Sequence, residues 1–261
     1  MRVSLIITTY NRPDALLLVL LSIEGQITLP YEVIIADDGS TNDTKEVVTS
    51  FQEKSDIRVI HSWQADSGFR AAKSRNKAIS QSNSDYIILI DGDVILHPEF
   101  INDHINNAQS SYFVQGSRVL LTQDKTKQAL DQQKINFSLL SNGLKNRKNA
   151  IHSNSLSRLF SNKKNTLRGI RSCNLAFFKQ DFISVNGFNN EFEGWGREDS
   201  EFIMRLLNSG INRKNVRFNA IQFHLWHNEN IRNSLEKNEA ILQNTINNQI
   251  KWCDSGVKIF L

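Results

Sequence analysis

The sequence predicts an α/β protein, a mostly parallel sheet flanked by helices, as a single domain carrying a basic insertion. Three observations carry that prediction. Within residues 1–90, four short apolar runs rich in β-branched residues alternate with three segments of helical composition. Strand and helix in strict alternation imply parallel strands joined by right-handed crossovers. The run at 86–90 (YIILI) is unbroken and apolar, as a strand buried on both faces reads. Polar clusters follow several of the runs (Thr8 to Asn11, Asp37 to Thr41, Asp91 to Asp93), at the strand ends beyond which open α/β sheets bind ligands.

The elements follow in order. Residues 2–9 (RVSLIITT) read as the first buried strand and Tyr10 to Pro13 as the turn after it. Pro13 suits a first helical position, and residues 14–24 keep a helical apolar pattern. A second strand at 31–36 (YEVIIA) leads to Asp37-Asp38-Gly39, after which Thr41 or Asp43 can cap a helix running to residue 54. Residues 57–61 form a short third strand, 69–81 a helix, and 86–90 (YIILI) the fourth strand, ending in Asp91-Gly92-Asp93. A helix at 98–109 and a strand at 112–121 follow. Residues 122–168 are poor in apolar residues and read as a helix and then a mobile loop, a lid or acceptor-binding insertion. Order returns with a strand at 171–179, a turn-rich 186–190, a helix to residue 208, a last strand within 216–226 and a helix over 231–250. The expected organisation is 1–121, ending past the Asp91–Asp93 turn, then the insertion 122–168, then 169–261.

Composition narrows the class. With 39% hydrophobic and 22% charged residues the chain is of ordinary globular type. No apolar run is long enough to span a bilayer and no signal-peptide pattern follows Met1. Cys173 and Cys253 lie far apart without metal or redox spacing, so a cytoplasmic location is expected. The net charge of +4 hides an asymmetry: residues 118–171 hold twelve Lys/Arg against two acids, leaving the remainder net acidic. Such a basic middle suggests an anionic partner such as a lipid surface, with peripheral binding at the inner face of the membrane, a phosphorylated glycan or nucleic acid. An unpartnered solvated insertion would show the same charge.

The Asp91-Gly92-Asp93 turn is the strongest single signal. Two carboxylates at a buried strand end can hold Mg²⁺ or Mn²⁺ together with a substrate diphosphate; a strand followed by an Asp-Gly turn reads the same way. Neither G-x-G-x-x-G nor a P-loop follows the first strand, which argues against a dinucleotide dehydrogenase and a P-loop NTPase.

The run of VSLIITTYNRP, VIIADDGSTND, GFRAAKSRNKAI and DYIILIDGD resembles the N-terminal half of family 2 glycosyltransferases of the GT-A fold, a Rossmann-like architecture. The later NLAFFKQDFISVNGFNNEFEGWGREDSEF followed by HLWH resembles the galactosyltransferase-type segment of β-1,4-galactosyltransferases and bacterial chondroitin-polymerase-like enzymes. That resemblance implies an inverting, metal-dependent transfer of a hexose or N-acetylhexosamine from a UDP-sugar to a glycan or lipid-linked saccharide, with no nucleic acid as partner. It implies that Tyr10 stacks on uracil, that Asp38 accepts its N3–H, and that Thr8 lies near the base. It implies Asp93 as a direct metal ligand, Asp91 at the ribose or the ion's water shell, and a histidine after the last strand, His224 or His227, as a further ligand. A histidine in the set suits Mn²⁺ better than Mg²⁺. Arg70 and Arg75 read either as phosphate or carboxylate partners or as an exposed helix face. In the Trp195 to Asp199 stretch the resemblance makes Asp199 the general base and has Glu198 hold acceptor hydroxyls, while Trp195 offers a sugar ring an apolar face. A helix start decorated with acids would read alike. Arg197 departs from the Gly common in relatives, which implies a reshaped acceptor pocket. A nucleotidyltransferase, lacking here its basic phosphate loop, and a non-catalytic glycan-binding module are the alternatives.

Overall fold

The computed structural model describes residues 1–228 and 233–261. Strands β1 (Val3–Thr9), β2 (Glu32–Asp37), β3 (Arg58–Trp63) and β4 (Tyr86–Asp91) alternate with helices α1 (Pro13–Glu24), α2 (Asn42–Lys54) and α3 (Ala71–Ser80), as the apolar runs predict. The four strands pair in parallel, in the order β3-β2-β1-β4. Alternate residues of each strand enter different cores. Leu5, Ile7, Val33, Ile35, Ile88 and Ile90 pack on one face, while Ile6, Ile34, Ala36, Ile87 and Leu89 pack on the other. Each fully buried aliphatic side chain contributes about 1.5–3 kcal/mol, which is why these runs tolerate no polar alternation. Helix α1 is apolar on more than one side because it sits between two cores. Its Leu16, Val19 and Ile23 join the first, and its Ala15 and Leu18 join a third core under a second sheet.

That second sheet is the main departure from the sequence reading. After Asp93 the chain forms β5 (Val94–Leu96), then α4 (Phe100–Asn107). The strand expected at 112–121 is two strands, β6 (Tyr112–Gln115) and β7 (Ser117–Leu121), in different sheets. Gly116 divides them at a place where any side chain would collide with Asn174, whose Oδ1 lies 2.3 Å from where a Cβ would be. Within the expected insertion lie α5 (Gln123–Asp131), β8 (Leu144–Lys145), a 3₁₀ turn at Arg147–Ala150, α6 (Asn154–Phe160) and β9 (Asn162–Lys163). Side chains hold this segment down: Thr122 and Ser153 cap α5 and α6, and His152 Nε2 meets the buried Asp103 at 3.0 Å.

The chain then returns through β10 (Asn174–Phe178), α7 (Lys179–Ser184), α8 (Glu198–Asn208), β11 (Asn212–Asn215), β12 (Ile221–His224) and α9 (Leu235–Asn247). The main sheet runs β3-β2-β1-β4-β10-β6-β11-β9, with β10 and β9 antiparallel to their neighbours and the rest pointing one way. The small sheet is β5-β12-β7-β8. The start of the helix expected at 231–250 lies outside the described residues, and its described part is α9. Among the described residues no helix is long and apolar enough to cross a membrane.

Candidate active site

A cleft of about 990 Å³ opens at the carboxyl ends of β1 and β4. Thr8, Tyr10, Asp38, Arg75, Asp91, Asp93, Trp195, Glu198, Asp199, His224 and His227 all line it; of the predicted site residues only Arg70 does not. Parallel register brings the first of these together, since Thr8 pairs with Ala36 on one side and with Asp91 on the other. Gly92 then passes close under β1: its N–H donates to the Thr8 carbonyl at 2.7 Å, and a Cβ there would sit 2.9 Å from Thr9 Oγ1. Glycine is needed at that position for space.

Asp93 meets the two histidines through the small sheet. Antiparallel pairing sets Val94 opposite His224, and Leu225 N–H donates to the Asp93 carbonyl at 2.9 Å. His224 Nε2 lies 3.6 Å from Asp93 Oδ1 and His227 Nε2 lies 3.5 Å from Asp93 Oδ2, with the three ligand atoms all within 4.8 Å of one another. These separations are too long for hydrogen bonds and fit ligands spaced around one ion. Each ring's Nδ1 lies beside a backbone carbonyl, His224 with Leu225 at 2.8 Å and His227 with Asn228 at 2.6 Å. Those bonds leave the Nε2 lone pairs facing Asp93, as when a metal-binding imidazole donates its other ring N–H to a carbonyl that fixes its tautomer and orientation. Asp93 Oδ1 is buried and, among the described residues, has no hydrogen-bond partner. An orphaned carboxylate oxygen between two oriented imidazoles fits a divalent cation, and the one-carboxylate, two-imidazole set favours Mn²⁺ over Mg²⁺.

Arg75 occupies the centre. Its side chain is only 4% exposed. Nε donates to Thr8 Oγ1 at 3.1 Å, Nη1 to Glu198 Oε1 at 3.1 Å, and Nη2 reaches Asp91 Oδ1 at 3.5 Å. One guanidinium thus joins the strand-end edge to the start of α8. Burial opposes its charge, yet Glu198 and then Asp91 outweigh that and raise its pKa. Asp91 is itself pushed above the usual carboxylate range, chiefly by burial and then by Asp93, with Arg75 opposing. Arg70 acts differently from the side-chain partner the sequence suggests: its backbone N–H donates to Asp38 Oδ2 at 2.6 Å while its guanidinium turns to the Ala65 carbonyl. Gln64, which carries no motif, donates to Asp38 Oδ1 at 2.6 Å. Asp38 is 4% exposed, and burial raises its pKa against these bonds. Tyr10 stands at the mouth, 47% exposed, donating to Asp66 Oδ2 at 2.9 Å. The neighbouring Asp37 is a turn residue; burial works to raise its pKa, but His61 and Ser40 outweigh it and hold it low.

The opposite wall is a loop. Gly194, Gly196 and Arg197 all adopt left-handed backbone, with φ of 72°, 110° and 73°. Asn238 of α9, fully buried, donates to the carbonyls of Glu193 at 3.2 Å and Gly196 at 3.0 Å. Arg197 pairs with Glu239 of α9 at 2.6 Å. These clamps present Trp195 to the cleft and set Glu198 and Asp199 in the first turn of α8, which a buried Glu201–Arg205 pair at 2.7 Å anchors. Asp199 Oδ1 accepts from Ser200 N–H at 2.6 Å. Burial and then the Glu198 charge push the Asp199 carboxyl up to about 7, Arg75 and the Ser200 bonds acting against them. A carboxylate poised there can accept a proton near neutral pH.

Fold and cleft together define an α/β protein of GT-A type with a polar cleft at the strand-end edge of its main sheet. The Glycosyl transferase family 2 model matches residues 4–182, and a model described as the N-terminal domain of galactosyltransferase matches residues 155–228. The chain belongs to glycosyl transferase family 2. It is 29% identical to a hyaluronan synthase of Pasteurella multocida over 79% of its own length and 23% of that protein. It is 28% identical to a chondroitin synthase of Escherichia coli over 85% of its length and 34% of that one. The chain therefore spans about a quarter to a third of these relatives. Among solved structures, S. aureus TarS 1–349 in complex with UDP superposes on the whole chain and 68% of its own, with a TM-score of 0.64 at 17% identity. The mannosyltransferase PcManGT from Pyrobaculum calidifontis, in complex with GDP-Man and Mn²⁺, covers 86% of this chain and 56% of its own, with a TM-score of 0.60 at 16% identity. At such identities the likeness is one of fold.

Proposed function

We propose that this chain moves one hexose or N-acetylhexosamine from a UDP-sugar to a hydroxyl of a glycan or lipid-linked saccharide, with inversion, in surface polysaccharide or lipooligosaccharide synthesis. The observation that carries the reading is the trio Asp93, His224 and His227 around an orphaned carboxylate oxygen, in the same cleft as Asp199. The relatives' names, hyaluronan and chondroitin synthase, support a glycan product, and the UDP complex of TarS supports the donor.

In this reading Tyr10 and Asp38 take the base beside Thr8, with Asp91 toward the ribose, and Asp93 with the histidines holds the ion. A bound Mn²⁺ or Mg²⁺ would neutralise the diphosphate charge that grows as UDP leaves. Asp199 takes the proton of the acceptor hydroxyl as its oxygen attacks the anomeric carbon; the C–O bond to the β-phosphate breaks on the opposite face. Arg75 orients Glu198, which holds acceptor hydroxyls, and Trp195 supports the acceptor ring. A nucleotidyltransferase would need a basic phosphate cradle after β1, where TTYNRP stands.

The test is a panel of UDP-sugars with Mn²⁺ and saccharide acceptors, read by UDP release and by the product's anomeric configuration. Metal-dependent release with inverted product is expected. A product keeping the donor's configuration, or transfer undiminished by a chelator, would overturn the mechanism.

A further inference from the structure

Beside the cleft lies a second cavity, of about 460 Å³, that the proposed chemistry does not use. Arg118, Lys164, Arg168, Arg171 and Arg213 line it, and among the described residues no acid does. Four of the five belong to the basic middle of the sequence, whereas Arg213 comes from β11. Among the described residues none of the five has a carboxylate within salt-bridge distance, although ion pairs are common elsewhere in the molecule. Arg213 is 5% exposed and spends its Nη1 on the carbonyls of Thr166 and Arg168 at 2.7 and 2.9 Å. It holds the 166–168 turn in place. The cations also act on one another: burial and then Arg118 lower the pKa of Arg171, and burial and then Arg171 lower that of Arg213. A partly desolvated group of like charges without counter-charge is costly for a fold to keep. Between the cations stand amides such as Asn149 and Asn215, suited to hydroxyl groups.

Position gives the cavity its meaning. Arg118, Leu120 and Arg171 line both it and the main cleft, so the two spaces adjoin. Resting on the transferase reading, we infer that the basic cavity is an acceptor subsite for an acidic saccharide, holding a carboxylate or phosphodiester next to the sugar whose hydroxyl Asp199 activates. Guanidinium groups match both anions, bidentately where geometry allows. A flat membrane surface would call for a convex array of lysines and arginines. Here the basic groups instead converge in a concavity, and Lys163, outside it, lies 4.2 Å over the Tyr112 ring.

Lys164 and Arg168 are exposed and line only this second cavity, so their replacement spares fold and cleft. The test compares wild type with the double variant Lys164→Gln/Arg168→Gln and with Arg168→Lys. Binding is measured to a uronate-containing oligosaccharide, its carboxyl-reduced neutral form, a polyol-phosphate oligomer, anionic phospholipid vesicles and Mn²⁺–UDP. Wild type should prefer one acidic oligomer over the neutral form by roughly tenfold or more at low salt. Which oligomer it prefers identifies carboxylate or phosphodiester. The double variant should lose that preference, Arg168→Lys should keep most of it, and Mn²⁺–UDP affinity should not move. Equal binding of acidic and neutral forms by a protein that binds Mn²⁺–UDP would overturn the inference and leave the transferase reading intact. So would a variant that lost only vesicle binding, which would point to a membrane, or only UDP affinity, which would point to the donor. Acidic oligomers bound by a wild type that neither binds nor cleaves UDP-sugars would sink the transferase reading and leave the anion site standing.

Discussion

Thr8 and Asp91 enter the cleft from strand ends held in unbroken parallel register, with apolar residues packed on both faces behind them, and Asp93 follows one glycine later. Trp195, Glu198 and Asp199 enter it from a loop with three left-handed residues and the first turn of α8, clamped by Asn238 and Glu239 of α9, the latter through Arg197. The first edge is positioned by secondary structure, with its backbone in regular strand geometry. The second is positioned by a few side chains that bind backbone carbonyls, and left-handed backbone at a non-glycine such as Arg197 is itself unfavourable by about 1–3 kcal/mol. The rigid edge suits a donor and ion that must be held in one geometry; the clamped loop suits an acceptor that enters and leaves.

Mutations can break that contrast. The largest effect is expected at Asp93→Ala, which should abolish metal-dependent UDP binding and lower transfer by roughly 10³-fold, measured by calorimetry with and without Mn²⁺. Wild-type turnover in that variant would remove the metal site. Next, Asp199→Asn should lower kcat by about 10²–10⁴-fold while leaving donor binding intact, because the amide oxygen still accepts from Ser200 N–H. A similar loss of donor affinity would show that the two sides of the cleft are not separable.

The same carboxyl sharpens the comparison through pH. With its value raised to about 7, Asp199 must lose its proton to act as base, so kcat should fall about tenfold per unit below that value and level off above it. Stability runs the opposite way. The folded state binds this proton more tightly than the unfolded chain, so the protein should lose stability as pH rises from about 4 to 7. Asp199→Asn should therefore raise Tm more at pH 8 than at pH 4. A flat difference in Tm would mean that Asp199 is not held high. The smallest effect belongs to Asn238→Ala, which deletes both loop clamps at about 1–2 kcal/mol. It should raise the acceptor KM and leave Mn²⁺–UDP affinity unchanged; an equal change in both would place α9 behind the donor as well.

The sequence made the rigid edge legible and the clamped wall only partly so. Val3–Thr9, Glu32–Asp37 and Tyr86–Asp91 read as strands because both faces are buried and each carries a run of consecutive apolar residues. Asn212–Asn215 did not, since Asn-Arg-Lys-Asn has no apolar signal and is a strand through pairing with β6. The division at Gly116 needs Asn174, distant in sequence, to be seen. Arg75 read equally as a phosphate partner, a carboxylate partner or part of an exposed helix face, and its bond to Glu198 spans residues from the two halves of the chain. Gln64 and Asn238 gave no signal, because a buried amide that serves one carboxylate or two carbonyls looks like any surface amide in sequence.

Asn174 sets a limit on how this cleft can be altered. Its Nδ2 donates at 2.8 Å to the carbonyls of Ser117 and Ala220, one just before β12 and one in β7, and its Oδ1 meets His104 Nε2 at 2.9 Å. It stands in β10 of the main sheet, so a single amide, seated in the space Gly116 leaves, fastens one sheet to the other. Asp93 leaves the large sheet and His224 ends a strand of the small one, so the spacing of the ion ligands proposed above depends on a joint that touches none of them. A library built to retarget acceptor choice can randomise the cavity wall widely, but positions 104, 116 and 174 have to stay fixed together.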